Sequence, residues 1–395
     1  MGYIQGMSSQ ETTLRVGIVG AGPAGLFAAA DLLRRAPNAS ITLFDRLPVA
    51  GGLVRYGVAP DHPKTKRVMS AFERTLAAPN VDFVGNSPLQ TAEQLADLRS
   101  RFDAVILACG AEEDRPLPLP GADLPHVFGS TRFVGWYTGH PDQASLHPPL
   151  TGTRAVVVGN GNVALDVARI LTRPTETLTG TDIAPHALAA LRESRIREVI
   201  ILGRRSPAHS SFRPPEIKEL LGFDHVECTT NTESFALAPE DSEVLATSDR
   251  RLAAQVVDLL ATLPDSPSDS GRPHIRFRFL TTPTAFTPAG LTIQSTELTG
   301  PAIQRRATPV GKEESLDAGL VVLCTGHRSR PIPGCPFDHA LGRIPNDAGR
   351  VHGEPGLYVT GWIRRGPEGL IGTNKRDAQE TVSALLEDWA QSLNP

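Results

Sequence analysis

The chain has 395 residues, 40% apolar and 21% charged, with a formal net charge of −4. That length suits two domains with a sizeable core each, and the slight acidic balance argues against a nucleic-acid partner. Four scattered cysteines, Cys109, Cys228, Cys324 and Cys335, form neither a CxxC redox pair nor a metal-ligand cluster.

Met1 to Thr13 is polar and has neither a secretory leader pattern nor the N-myristoylation motif, and no apolar run reaches the roughly 18 residues of a membrane span. A cytoplasmic setting is expected. The apolar run Leu14 to Val19 then leads into Gly20-Ala21-Gly22-Pro23-Ala24-Gly25 and the alanine-rich run Leu26 to Leu33. This reads as strand, tight turn and helix, a geometry that seats a pyrophosphate on the helix N-terminus. Asp45 closes the next apolar strand, Ile41 to Phe44, where a carboxylate can accept from ribose hydroxyls. Together these predict a dinucleotide site.

Residues 46 to 66 form a long Gly- and Pro-rich loop, too apolar for disorder and therefore functional in character. Gly51, Gly52 and Gly57 would let the backbone approach a flat cofactor. His62, between Asp61 and Pro63, is either a turn residue before a helix starting near Lys64 or a site residue.

The string GGLVRYGVAPDHPKTK resembles the flavin loop of the adrenodoxin-reductase type of ferredoxin-NADP reductases, and matches continue almost to the C-terminus. The resemblance implies that Ala24, Asp45, Gly52, Leu53 and Leu89 lie along a bound FAD. It also implies that His62 lies on the flavin face, close to where an iron-sulfur partner docks. Asp45 stands where the family pattern leads one to expect Glu.

Val68, Phe72 and Leu76 recur at helical spacing within Lys64 to Ala78, Val81 to Val84 alternates as a strand, and Ala104 to Leu107 is a buried strand before Cys109, a small core residue. Pro116, Pro118, Pro120 and Gly121 mark a crossover. A second strand, turn and helix follows in Ala155 to Val158, Gly159-Asn160-Gly161-Asn162-Val163 and Ala164 onward. Two such turns imply two nucleotides. The strand Glu198 to Leu202 ends in Gly203-Arg204-Arg205, where guanidiniums replace the acid that would select NAD. They suit the 2′-phosphate of NADP, although a solvated basic turn reads the same way.

Ser211 to Leu220 opens a helix on Pro214 and Pro215, with Glu216 and Glu219 suited to its first turns. The resemblance singles out Glu216 as facing the nicotinamide. Residues 223 to 249 are polar and aperiodic; Arg250 and Arg251 begin a helix through Leu263 that in relatives is more basic and helps bind an acidic ferredoxin. Ile275 to Leu280, Thr284 to Thr287 and Leu291 to Ser295 read as an antiparallel flap, and Leu320 to Gly326 as a buried strand returning the chain to the first domain. Gly356 to Trp362 is the last strand. By resemblance, Trp362 and the backbone of Gly369, Leu370 and Ile371 contact the isoalloxazine, with Gly372 near the nicotinamide. Arg364 and Arg365 are either a solvated turn or part of a docking face. Ala378, Val382, Leu385 and Trp389 form the apolar stripe of the final helix.

The expectation is an α/β protein with two Rossmann-like dinucleotide-binding domains: a discontinuous FAD-binding domain in 1–110 and 325–395, and an NADP-binding domain in 111–324. The implied activity passes a hydride from NADPH to FAD and single electrons to a 2Fe-2S or similar ferredoxin, with a cytochrome P450 as a candidate terminal enzyme. His62 and Glu216 are the supporting catalytic groups, and no metal site is read. A disulfide reductase or an iron-sulfur electron-transfer subunit would need clustered cysteines. A flavin monooxygenase, another small-molecule oxidoreductase and a non-catalytic redox sensor are the competing readings.

Overall fold

The computed structural model describes residues 13–247, 250–268 and 270–393; the reading of the N-terminal twelve residues lies outside them. The described residues group into two compact units. One comprises residues up to Arg55, Lys64–Glu113 and the chain from Arg328 onward, the other Tyr56–Pro63 and Asp114–His327.

The first unit is built on a seven-stranded sheet. The strands Leu357–Val359, Ala104–Leu107, Arg15–Val19, Ser40–Phe44 and Val81–Val84 run parallel in that order, and the short pieces Asn346–Asp347 and Arg350–Val351 extend the first edge antiparallel. Continuous burial of Ala104–Leu107 is what a parallel strand covered on both faces requires. One face carries the helices Pro23–Arg35 and Ile371–Leu393, which pack on each other through Leu26, Ala29, Ala378, Val382 and Leu385. Each such large aliphatic, fully buried, is worth about 1.5–3 kcal/mol. The expected helix over Lys64 to Ala78 is two pieces, Pro63–Lys66 and Met69–Leu76.

The second unit holds a six-stranded, wholly parallel sheet ordered Val127–Gly129, Leu320–Leu323, Arg154–Val158, Glu198–Leu202, His274–Arg278 and Glu227–Thr230. Leu320–Leu323 pairs with Arg154–Val158 in the second unit, where its four buried residues complete the core beneath the glycine turn, and the chain rejoins the first unit from Arg328. One expectation is corrected here. His274–Arg278 belongs to this parallel sheet and not to the flap. The antiparallel flap is Thr281–Thr287, Gly290–Thr299 and Arg306–Asp317, and the last of these is almost wholly exposed. The aperiodic stretch 223–249 contains the strand Glu227–Thr230 and the helix Pro239–Ala246.

Residues 56–63, expected with the first domain, group with the second unit. The cause is local: the Thr138 hydroxyl donates to Tyr56 O at 2.9 Å, and Asp61 is gripped by Arg169 and Arg173. Among the described residues no helix is long and apolar enough to cross a membrane.

Candidate functional site

In the first unit, Gly20 and Gly22 form the turn, and Ala24 and Gly25 the opening of the helix Pro23–Arg35. No side chain caps that helix, whose N-cap is Gly22, and no acid lies in its first turn. Its leading amides are therefore available to an anion. Gly52 approaches the same turn: its φ is +48°, and a Cβ there would stand 2.7 Å from Gly22 Cα. Gly51 N–H donates to Ala21 O at 2.8 Å and locks the approach.

Asp45 ends the strand Ser40–Phe44, but its carboxylate also does a structural job. One oxygen accepts from Ala21 N–H at 2.7 Å and the other from Leu47 N–H at 2.9 Å. Each oxygen keeps a lone pair for a ribose hydroxyl, so a side chain that shapes the turn can also face the sugar. Leu53 and Leu370 are 41% and 52% exposed, the kind of uncovered apolar surface that a flat ring system would bury. Leu89 is half-buried and packs against the core cluster that contains Val19, Phe44 and Leu107. Trp362 Nε1–H donates to Glu368 O at 3.1 Å. Of the expected backbone contacts at Gly369, Leu370 and Ile371, the Leu370 amide is already engaged by Thr373 Oγ1 at 3.1 Å, and Gly372 sits in the first turn of the final helix. Arg364 and Arg365 brace that helix: Arg364 reaches Glu380 at 2.6 Å, and Arg365 pairs with Asp377 and Asn374. Glycines aligned without a Cβ, open amides and bare leucines fit an FAD.

The second unit repeats the device. The helix Asn162–Thr172 has Gly161 as N-cap, no capping side chain and no acid in its first turn. Val163 packs on the core, and Asn162 Oδ1 accepts from Arg213 N–H at 2.9 Å, tying the turn to the helix Pro214–Leu221. The Asn160 carboxamide lies over Gly203, where a Cβ would come 2.2 Å from its nitrogen, and its oxygen is buried without a partner. An unsatisfied buried acceptor beside open amides marks a place for a hydrogen-bonding ligand. Arg204 is exposed and Arg205 half-buried, and among the described residues neither pairs with a carboxylate. These residues fit NADP.

The structure brings His62 and Glu216 together within the second unit. His62 Nε2 lies 3.8 Å from Glu216 Oε2 and 3.3 Å from Glu219 Oε2. Glu219 is a residue the sequence reading passed over as a helix-end charge; its i, i+3 relation to Glu216 puts both on one face. The three ligand atoms lie within 4.8 Å of one another. That spacing suits a histidine shared by two carboxylates, and it is also one that a divalent cation accepts.

Beside His62 lies a charge cluster that sequence reasoning missed. Arg169, 1% exposed, donates to Asp61 at 2.5 and 3.0 Å and to Asp166 at 2.7 Å, and Arg173 adds a bond to Asp61 at 3.0 Å. Burial pushes Asp61 up, but the bonds and charge of Arg169, with His62 and Arg173, outweigh it and leave the carboxyl below its ordinary range. For Asp166 burial wins: against the pull of Arg169 and His62 it is pushed up to about 6 from an ordinary 3.8. A folded pKa above the unfolded one means that this group's contribution is complete below about pH 3.8 and fades as pH rises through about 6. Urea titrations of wild type and Asp166→Asn between pH 4 and 7 should show that fall in the wild type and its loss in the variant.

Burial raises every thiol: Cys109 and Cys228 to about 12, Cys335 to about 11, and Cys324 well above the ordinary range. All four are free, and as neutral thiols they are poor nucleophiles.

Two parallel-sheet units, each with an uncapped glycine-turn helix, define an oxidoreductase of the class that binds two dinucleotides. Residues 14–257 match the pyridine nucleotide-disulphide oxidoreductase family. The chain belongs to that family, within its branch of NADPH-ferredoxin and NADPH:adrenodoxin reductases. It is 42% identical over 384 residues to the NADPH-ferredoxin reductase FprA of Mycobacterium tuberculosis, covering 94% of this chain and 83% of that protein. With the mitochondrial NADPH:adrenodoxin oxidoreductase of Arabidopsis thaliana it shares 40% over 409 residues, 98% of this chain and 84% of the other. The solved structure of M. tuberculosis FprA in complex with NADPH superposes with a TM-score of 0.90 at 41% identity, covering 97% of this chain and 86% of that one. The disulphide in the family name has no counterpart here, since no CxxC exists in the chain.

Proposed function

We propose that this protein is an FAD-dependent NADPH-ferredoxin reductase. The observation that carries the reading is the pairing of two uncapped glycine-turn helices with an arginine pair after the fourth strand of the second sheet, in a chain about 40% identical to reductases of that name. When bound, FAD supplies the step from two-electron donor to one-electron acceptor.

The chain's own residues bind and orient. The first unit, through Gly20, Gly22, Ala24, Gly25, Asp45, Gly52, Leu53, Leu89, Trp362, Gly369, Leu370 and Ile371, is the FAD-binding domain. The second, through Gly159, Asn160, Gly161, Asn162, Val163, Arg204 and Arg205, is the NADP-binding domain. His62 and Glu216 are the supporting catalytic pair, and Glu219 joins them, its Oε2 lying 3.3 Å from the imidazole Nε2 against 3.8 Å for that of Glu216. The partner is a 2Fe-2S or similar ferredoxin in the cytoplasm, which in turn supplies a terminal enzyme such as a cytochrome P450.

The test is anaerobic mixing of the purified protein with NADPH and then with oxidised ferredoxin. Rapid bleaching of the flavin followed by one-electron ferredoxin reduction is the expected course. Bleaching with no delivery to a ferredoxin would overturn the assignment and favour oxygen or a small molecule as acceptor.

A further inference from the structure

The arginine pair of the second unit has a third member in space. The turn Pro207–His209 follows Arg204-Arg205-Ser206 directly, and both the helix Pro239–Ala246 and the helix Arg251–Leu260 pack on it. Arg250 is the N-cap of the second of these, its N–H donates to Thr247 O at 3.0 Å, and its side chain is exposed. The turn Pro207–His209 is stiff: His209 is held by Ser206 Oγ at 3.1 Å and by Ala302 O at 3.4 Å, and Thr296 Oγ1 donates to Arg204 O at 2.7 Å.

The electrostatics agree with this placement. Arg205 lies below the ordinary guanidinium range, chiefly through burial and then through the like charges of Arg204 and Arg250. His209 is lowered by burial, with Arg205 and Arg250 adding to it against the pull of Asp241. The nearby acids are spent elsewhere: Arg305 takes Asp241 at 3.1 Å and Glu240 at 3.7 Å. Among the described residues no carboxylate pairs with Arg204, Arg205 or Arg250. Three like charges gathered without a counterion, at the positive end of a ten-residue helix, are unfavourable until a dianion arrives.

We propose that Arg250 is a third recognition group for the 2′-phosphate of NADPH, and so a specificity-determining residue for the nicotinamide substrate and not part of the ferredoxin-docking face. The inference rests on the NADPH reading given above. Both sides of the phosphate are then met: Arg204 and Arg205 from the strand end, Arg250 from the helix end.

Calorimetric titration of the holoenzyme with 2′,5′-ADP, and with 5′-ADP as control, tests this without turnover. Arg250→Gln should weaken 2′,5′-ADP binding roughly tenfold and leave 5′-ADP untouched, while Arg250→Lys should recover most of the loss. The NADPH KM should rise in step in Arg250→Gln, and the ferredoxin KM should not. Unchanged 2′,5′-ADP affinity together with a raised ferredoxin KM would overturn the assignment and return Arg250 to the partner surface. Wild-type protein that binds 2′,5′-ADP no better than 5′-ADP would instead remove the NADPH reading itself, and this inference with it.

Discussion

Replacing Arg204 and Arg205 together by alanine is expected to erase most of the preference for NADPH over NADH, a fall of about two to four orders of magnitude in the ratio of kcat/KM values. Each charge-assisted contact to a phosphate is worth roughly 1.5–3 kcal/mol, and the half-buried Arg205 should carry more of the total than the exposed Arg204, where water and salt screen the charge. The loop should survive the change. It is held through main-chain atoms, with Thr296 Oγ1 on Arg204 O at 2.7 Å and Leu280 N–H on Arg205 O at 3.3 Å, which the truncation leaves in place. Steady-state kinetics with both nucleotides at low and high salt provide the check. A ratio that stays within threefold of wild type would mean that the 2′-phosphate is read elsewhere.

Arg169→Met is expected to destabilise the fold by about 3–5 kcal/mol. The guanidinium is 1% exposed and holds two carboxylates, Asp61 at 2% and Asp166 at 16% side-chain exposure. Methionine fills much of the volume but leaves Asp61 with Arg173 as its remaining ion-pair partner and Asp166 without the ion pair to Arg169, each in surroundings that disfavour charge. Asp61 precedes His62 in sequence, so the clamp also sets where the imidazole stands against Glu216 and Glu219. Two measurements separate these effects: the urea midpoint reports the buried charge, and the rate of NADPH oxidation under conditions where the variant stays folded reports the placement of the histidine. The companion Asp61→Asn, Arg169→Met double variant should recover part of the loss, because it removes the stranded charge as well. A loss below about 1 kcal/mol in the single variant would show that water reaches the cluster and solvates it.

The two glycine turns were readable from sequence because their requirements are local. A strand, a turn that excludes Cβ and a helix with bare amides are adjacent in the chain, and Arg204 and Arg205 follow their strand directly. The final helix was readable for the same reason, its stripe of Ala378, Val382 and Leu385 being periodic and buried. His274–Arg278 was placed in the flap because an alternating strand looks alike in either sheet; only its parallel partners Glu198–Leu202 and Glu227–Thr230 decide the matter. Arg306–Asp317 has no apolar alternation, so nothing in its composition marks a strand, and its place comes from hydrogen bonding to Gly290–Thr299.

The charged groups divide the same way. Sequence alone picked out the glycine turns and the arginine pair as candidates for holding phosphate, because open amides and guanidiniums carry that chemistry wherever they stand. It also excluded a CxxC redox pair, since no two cysteines stand at that spacing in the chain. Only tertiary structure could bring Asp61 to Arg169 across 108 residues, set Glu219 beside His62 and pack the helix capped by Arg250 on the turn that follows Arg205. The physical reason is that a charge has no preferred neighbour until burial strips away its water and the fold supplies the counter-charge in its place.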